Sequence, residues 1–307
     1  MFRYHIDTDM GVDDGLALVI GSRMLGSALT AVSTVFGNVP VHLATRNALI
    51  FRQLLQPDCR FRIIAGADRA SDGYFRDARH IHGEDGLGGA TAGLSSSVLC
   101  QVQSETDVAS LSEVVPNSTA DQKVVIIGLG PTTNMIRLVE LYGQSNVERI
   151  VLMGGVFLDQ GNITSYAEFN AHSDPFALRN LLDIGVQITI VPLDICRKIQ
   201  LSRSTVRSYL DIGQSSLARL IVDSHMKYMD FYNEWEGVDG CFPHDAIAVL
   251  VAIVPEWFYQ IRARISVDIS SERRGKTSMS FDQSSQVSVV FGGALKNVRD
   301  LLRTLRI

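Results

Sequence analysis

Short apolar runs alternate along the chain with longer stretches whose apolar residues recur every three or four positions. Phe2–Ile6, Ala28–Val35, Arg62–Ala65, Lys123–Ile127, Arg149–Met153 and Gln187–Val191 read as strands, the later ones rich in Val and Ile. Asp14–Leu25, Val41–Leu54, Thr132–Tyr142 and Pro175–Ile184 read as the helices between them. Strand and helix in alternation predict βαβ units and an α/β fold. The expected form is an open, mainly parallel, Rossmann-like sheet with helices on both faces, because crossovers are right-handed. Ser202 to Val254 is dominated by helical pattern. The tail reads as strands Ile261–Asp268 and Val287–Phe291 and a closing helix, Ala294–Leu305. From Gly66 to Gln122 the periodicity weakens into a segment rich in Gly, Ser and charge, the mark of a functional loop. No repeat or linker interrupts the chain, so residues 1–307 are expected to form a single domain.

Composition narrows the function classes. Hydrophobic residues make up 46% of the 307 and charged residues 20%, as in a soluble protein with a sizeable core. A net charge of −5 gives no footprint for nucleic acid. Mean hydropathy is positive at +0.13. The longest apolar run, Ala246 to Val254, is nevertheless far too short for a bilayer, so no membrane partner is expected. Cys59, Cys100, Cys196 and Cys241 are scattered, without metal-type spacing, and read as reduced thiols of a cytoplasmic protein. On that reading the sequons at Asn117 and Asn162 are chance matches.

The chemistry concentrates where the first strand ends. "HIDTDMGVDDG" places Asp7, Asp9, Asp13 and Asp14 within eight positions. In open α/β sheets, ligands bind beyond the carboxyl ends of the strands. Helix capping, with Asp13 as the cap, accounts for one aspartate and gives no reason for four. A hard divalent cation does, since its charge reverses the repulsion; oxygen ligands without Cys or His favour Ca²⁺ or Mg²⁺ over zinc. Further oxygens are available in His244-Asp245, at the start of an apolar helix, and in the carbonyls of the Gly-Leu-Gly-Pro turn at 128–131. "GNITSYAEFN" supplies Asn162, Glu168 and Asn170, groups able to bind several hydroxyls at once, and Asn38 follows the second strand.

With these segments in view, the chain resembles the inosine-uridine preferring nucleoside hydrolase family. "DTDMGVDDG" is similar to that family's Asp-x-Asp-Pro-Gly-x-Asp-Asp-Ala signature. The likeness continues through "FGN", "HGEDGLGG", "GLGPTTN", "MGG…GNITSYAEFN…DP" and "HDAIAV", in order. The resemblance implies hydrolysis of the N-glycosidic bond of ribonucleosides by a calcium-dependent enzyme, commonly a homodimer or homotetramer. It implies Ca²⁺ on the side chains of Asp9, Asp14 and Asp245 and the carbonyl of Leu129, with Asp7 in support. Asp13, Asn38, Asn162, Glu168 and Asn170 would hold the sugar, Met153 would line the pocket, and His82 and His244 would lie toward the nucleobase. Asp9 would be the general base and His244 the partner of the leaving base. A helix carrying Tyr228 and Trp235 is a candidate base-covering flap.

The chain departs from the family pattern at Met10, usually Pro, which predicts a less rigid turn. It departs also at Gly15, usually Ala, and at Cys196-Arg197, usually Thr followed by His or Asn. Two other readings compete. One is a Mg²⁺-dependent phosphohydrolase of the haloacid-dehalogenase type, with Asp7 as nucleophile and Asp9 as acid. The other is a non-catalytic protein that binds a nucleoside or ribose.

Overall fold

Unbroken Val–Ile runs become the centre of one sheet. A computed structural model describes residues 2–55, 61–105, 108–112, 122–212 and 215–305; Cys59 and the Asn117 sequon lie outside them. The strands are β1 (Arg3–Thr8), β2 (Leu29–Thr34), β3 (Arg62–Ala65), β4 (Val108–Ser110), β5 (Val124–Gly128), β6 (Val147–Met153), β7 (Ile188–Val191), β8 (Phe258–Val267), β9 (Thr277–Phe281) and β10 (Val287–Gly293). They form one sheet in the order β4-β3-β2-β1-β5-β6-β7-β10-β8-β9. Neighbours pair in parallel from β4 through β10, while β8 and β9 are antiparallel. All five residues of β5 and all four of β7 are buried, as strands covered on both faces require.

The main helices are α1 (Val12–Leu25), α2 (Val41–Leu55), α3 (Arg79–His82), α4 (Ser96–Gln103), α5 (Met135–Tyr142) and α6 (Phe169–Ser173). They continue with α7 (Pro175–Leu182), α8 (Leu193–Cys196), α9 (Arg203–Ile212), α10 (Ser216–Glu236), α11 (His244–Ile253) and α12 (Leu295–Thr304). Two apolar clusters occupy the two sides of the sheet. One joins α1, α2, α10 and α11, and the other joins α5 and α7. No helix among the described residues is long and apolar enough to cross a membrane.

Two features fix where a ligand can sit. From β1 the chain works outward through β2, β3 and β4; it then returns to the other side of β1 with β5 and continues the opposite way. The carboxyl ends of β1 and β5 therefore diverge at a topological switch point, where a crevice opens. Secondly, α1 and α11 are apolar almost all round and pack against each other beneath that crevice. A helix of this kind is buried on every side. Whatever stands in its first turn is buried with it.

Element boundaries differ from the periodicity in explicable ways. α1 begins two residues earlier than the apolar pattern, at Val12, because Gly11 is its N-cap. The helix read from Thr132 opens as a 3₁₀ turn, Thr132–Asn134, before α5. β4 has three residues, too few to show a period. β9, Thr-Ser-Met-Ser-Phe, lies at the sheet edge and is mostly exposed, so it carries little apolar signal.

Gly15 also has a packing reason. A Cβ there would stand 2.5 Å from Cζ of Phe51, a side chain buried completely in the core. On helix propensity alone, Gly15→Ala would stabilise by about 1 kcal/mol. Overpacking reverses the sign, and we expect G15A to destabilise by about 1–3 kcal/mol in urea unfolding. Adding Phe51→Leu should recover part of that loss, whereas a stabilised G15A would show that Phe51 moves freely.

Candidate active site

Beyond β1 the backbone turns through Met10, whose φ of +45° is the only positive value at a non-glycine among the described residues. A proline ring locks φ near −65°. A proline could not take the φ that Met10 has here. The Met10 N–H donates to Thr8 Oγ1 at 3.1 Å, and the Thr8 hydroxyl donates to Asp14. Asp14 Oδ2 accepts the Gly11 N–H at 2.8 Å, so Asp14, and not Asp13, serves the cap of α1. Asp9 lies between the main chain and side chain of Asn38, whose N donates to Oδ2 at 2.8 Å and whose Nδ2 donates to Oδ1 at 3.1 Å. The same Asn38 amide donates to Asp14 Oδ2 at 2.9 Å, tying the two acids together. Behind them Asp7 accepts from Ser33 Oγ and, at 2.8 Å, from Asn134 Nδ2.

At the start of α11 Pro243 is the N-cap, so Asp245 stands in the first turn without capping it. His244 is buried there rather than on the surface. Because α11 lies against α1, carboxylate oxygens of Asp13, Asp14 and Asp245 come within 4.8 Å of one another. Asp13 thus belongs to the acidic group, and Asp9 joins it through Asn38. All five aspartates are at least 96% buried. The partners of Asp7, Asp9 and Asp14 are hydroxyls, amides and backbone N–H groups, none of them a cation.

Burial first, then the charge of Asp14, pushes Asp9 and Asp13 well above the usual carboxylate range. Burial and then the charges of Asp13, Asp14 and Asp9 do the same to Asp245. Burial brings Asp7 up to about 7, against the hydrogen bonds from Ser33 and Asn134. Asp13 Oδ1 and Asp7 Oδ2 are buried with no hydrogen-bond partner. Buried orphan oxygens among crowded acids fit a divalent cation.

A cavity of about 370 Å³ opens over this group. Asp13, Asp245, Asn38 and Leu129 line one end, and Met153, Asn162, Glu168 and Asn170 line the adjacent wall. Glu168 is the N-cap of α6, with Oε1 accepting from Asn170 N at 2.7 Å. Its Oε2 accepts from Ala171 N at 3.0 Å and Gly155 N at 2.9 Å. Burial still raises its pKa. Asn170 Nδ2 donates to the carbonyls of Leu129 at 2.6 Å and Met153 at 3.1 Å, while Asn162 Oδ1 accepts the Phe169 N–H at 2.8 Å.

The opposite wall is aromatic. His82 stacks on Tyr228 with ring centres 5.0 Å apart, and its Nδ1 accepts the Val12 N–H at 3.1 Å. Tyr232 OH lies 3.4 Å from Tyr228 OH and 3.0 Å from His244 Nε2. Burial lowers His82 and His244 to about 3, so both imidazoles are neutral near pH 7. The two flap candidates sit apart: Tyr228 is 4% exposed within the wall, and Trp235, 70% exposed, stands at the mouth against Phe231.

A sequence profile described as inosine-uridine preferring nucleoside hydrolase matches residues 4–300. The chain belongs to that family. It is 30% identical over 283 residues to uridine nucleosidase 1 of Arabidopsis thaliana, covering 89% of this chain and 80% of that protein. It is 29% identical to the pyrimidine-specific ribonucleoside hydrolase RihA of Salmonella paratyphi C (strain RKS4594), over 86% and 83% of the two chains. The purine-preferring ribonucleoside hydrolase from Gardnerella vaginalis shares the fold, with TM-score 0.80 and 24% identity over 98% of this chain and 97% of that one. A plant nucleoside hydrolase superposes with TM-score 0.85 and 23% identity over 98% of both.

Membership in the nucleoside hydrolase family decides against the phosphohydrolase alternative, whose nucleophile would have been Asp7. It also makes the chain a hydrolase of N-glycosyl compounds rather than a binding protein. Several residues at the site had no signal in sequence. Ser33 and Asn134 are ordinary polar residues until the sheet brings them to Asp7, as is Thr8 until the turn after β1 brings it to Asp14. Asp194 accepts the N–H groups of Phe157, Leu158 and Asp159 at 3.0, 2.6 and 3.1 Å. Arg197, noted above as a departure, pairs with Asp159 at 3.2 Å and donates to the Gln160 carbonyl at 2.5 Å. Together they hold the loop that carries Asn162.

The Met10 turn yields a test. Met10→Pro removes an N–H that is hydrogen-bonded and imposes a φ of the wrong sign, so M10P should destabilise by about 3 kcal/mol or more in urea unfolding. Unchanged stability would mean that the turn converts to a proline-compatible φ without strain.

Proposed function

We propose that the chain releases free base and ribose from purine or pyrimidine ribonucleosides, with Ca²⁺ as cofactor. The observation that carries this reading is the convergence of buried, partly unpartnered aspartates with hydroxyl-binding carboxamides in one cavity at the sheet's switch point. Asp9, Asp14, Asp245 and the Leu129 carbonyl would hold the ion, and Asp13 stands close enough to share that task. A carbonyl oxygen has two lone pairs, so Leu129 can keep its bond from Asn170 and still serve as a ligand. The all-oxygen donor set is the kind calcium takes. When bound, such an ion offsets the mutual repulsion of the acids, lowers the pKa of a neighbouring water and offers open positions to a sugar diol.

The residues supply the rest. Asp9, held by both nitrogens of Asn38, takes a proton from the attacking water as general base. Asp13, Asn38, Asn162, Glu168 and Asn170 hold the ribose hydroxyls, with Met153 beneath. Cleavage leaves positive, oxocarbenium-like character on the sugar, and carboxylates fixed around it stabilise that charge only as it develops. On the base side His82 and His244 are neutral, so each acts as a hydrogen-bonding imidazole. Phe231 and Trp235 offer apolar faces at the mouth. Asp7 supports the ligands from behind. We place the enzyme in the cytoplasm on its cysteine usage and expect a homodimer or homotetramer from the family resemblance.

Reducing-sugar release from inosine, adenosine, guanosine, uridine and cytidine tests the reaction. Turnover should fall to background with a chelator and return with calcium. Asp9→Asn should lower kcat by about 10²–10⁴. It should also stabilise the chelated protein, since one acid is removed from the crowd. Near-normal turnover by D9N would remove Asp9 as the base.

The pH dependence of stability has a definite sign. Carboxyls with raised native pKa bind more protons folded than unfolded, so their contribution is lost as pH rises through the native value. Buried His5, His82 and His244, lowered by burial to about 3, contribute the opposite slope, but only below their unfolded pKa near 6.5. Above pH 6.5 the histidines are silent. Between pH 6.5 and 8 the chelated protein should therefore lose thermal stability, and saturating calcium should abolish the loss. A flat profile under chelation would mean that the acids are already compensated.

A further inference from the structure

The turn between β8 and β9, residues 268–276, is remote from the site in sequence but lies against the helix that carries Glu168 and Asn170. Gly275 has φ +75°, and a Cβ there would land on the backbone of His172 in α6. Next to it Arg274 directs its guanidinium inward, with a side chain only 14% exposed. Nε donates to the His172 carbonyl at 2.8 Å and Nη2 to the Ser173 carbonyl at 3.0 Å. These are the closing carbonyls of α6, groups that a helix end leaves unsatisfied.

The same guanidinium grips a second element. Nη1 donates to Asp72 Oδ2 at 2.5 Å and Nη2 to Asp72 Oδ1 at 3.3 Å, a two-point pair, and its carbon lies 4.3 Å from the centre of the Tyr74 ring. Asp72 and Tyr74 belong to the irregular segment 66–78, which goes on to line the cavity through Arg76 and Ala78. The Ala78 N–H donates to the Asn38 carbonyl at 3.1 Å, so the segment ends at the residue that clasps Asp9 and Asp14. Planar, forked and fully charged, arginine can make all these contacts at once; a lysine ammonium cannot.

We propose that Arg274 is a positioning residue for nucleoside binding, setting the distance between α6 and segment 66–78 and so the width of the cavity where the sugar enters. The inference rests on the proposed reading of that cavity as the nucleoside site. Arg274 touches no cavity-lining atom of its own and acts through the two walls it joins. Losing it should weaken ground-state binding more than it slows bond cleavage, because its own contacts are with His172, Ser173, Asp72 and Tyr74 and with none of the residues assigned to proton transfer.

Arg274→Met keeps the aliphatic stem and removes the donors. With inosine and uridine as probes, R274M should raise KM about tenfold with kcat within about twofold of wild type. Arg274→Lys should recover part of the KM loss. Asp72→Asn, which keeps an oxygen to accept the Tyr74 N–H, should shift KM in the same direction. The double variant should be no worse than R274M alone, because the two residues act as one unit. Hydrogen exchange on the nucleoside-free protein gives an activity-independent readout: amides of segment 66–78 should exchange about tenfold faster in R274M, while those of α1 stay unchanged. A KM within twofold of wild type, a loss confined to kcat, additive effects of the two substitutions, or unaltered exchange would each overturn the proposal. A wild-type protein that released no ribose would instead sink the reading of the site, and the exchange result would still decide whether Arg274 joins the walls.

Discussion

Like charge forced into a dry crevice is the constraint around which this molecule is organised. Oxygens of Asp13, Asp14 and Asp245 lie within 4.8 Å of one another. At an effective dielectric near 20, two unit charges at that distance repel by roughly 3–4 kcal/mol. Three such pairs, with Asp9 close by, exceed what the first turns of α1 and α11 can offset, since a helix N-terminus contributes about 0.3–1 kcal/mol per nearby acid. The cluster must therefore take up protons or a cation. Raised pKa values describe the first course and the proposed calcium site the second. The hydroxyls and amides around Asp7, Asp9 and Asp14 serve both, because they orient these carboxylates without supplying charge of their own.

The rest of the fold keeps that cluster in place. Two apolar helices lie side by side beneath the crevice, so their first turns meet there, and the diverging ends of β1 and β5 leave room above them. Neither helix can withdraw its aspartates without pulling a buried, largely apolar cylinder out of the core. This is why buried acids can persist at a large cost in isolation: the helices that carry them are held by contacts far from the charge. The sugar wall uses a different device. α6 is one and a half turns long, too short to be stable alone. It is fixed at its start by Glu168 and Asn162 and at its end by Arg274.

How much of this the sequence carried follows from the range of the interactions involved. Regular alternation made the parallel core and both its layers legible. Close spacing made the acidic cluster legible, since four aspartates in eight positions have no structural purpose by themselves. The assignment among those acids was less legible. Asp13 was the expected cap, yet Gly11 is the N-cap and Asp14, in the first turn, accepts its N–H, with the helix starting at Val12 just past the left-handed Met10. Nothing in a one-dimensional pattern encodes the sign of a single φ. The supports were illegible for a related reason. Ser33, Asn134, Asp194 and Arg274 each act across a sheet or between loops, at separations where the chain carries no local mark, and Thr8 depends on the shape of the turn that follows it. Arg197 stood out only as a departure from a family motif, and its partners Asp159 and Gln160 give that departure a physical content.

The two ends of the cavity are also less independent than a division into sugar side and base side implies. His82 faces the aromatic wall through Tyr228, yet its Nδ1 caps the Val12 N–H, one residue before Asp13. That bond requires an unprotonated Nδ1, which fixes the tautomer with hydrogen on Nε2 and the ring plane that Tyr228 stacks upon. Tyr228 in turn reaches His244 through Tyr232, and His244 adjoins Asp245. A closed circuit thus runs from the N-terminus of α1, through the aromatic wall of α10, to the N-terminus of α11. A displacement of either acid-bearing helix turn reorients the wall, and a change in the wall bears on the turns that hold the acids. Rigidity of this kind suits a reaction whose charge develops on the sugar while the base departs, because both halves must stay aligned through a single step.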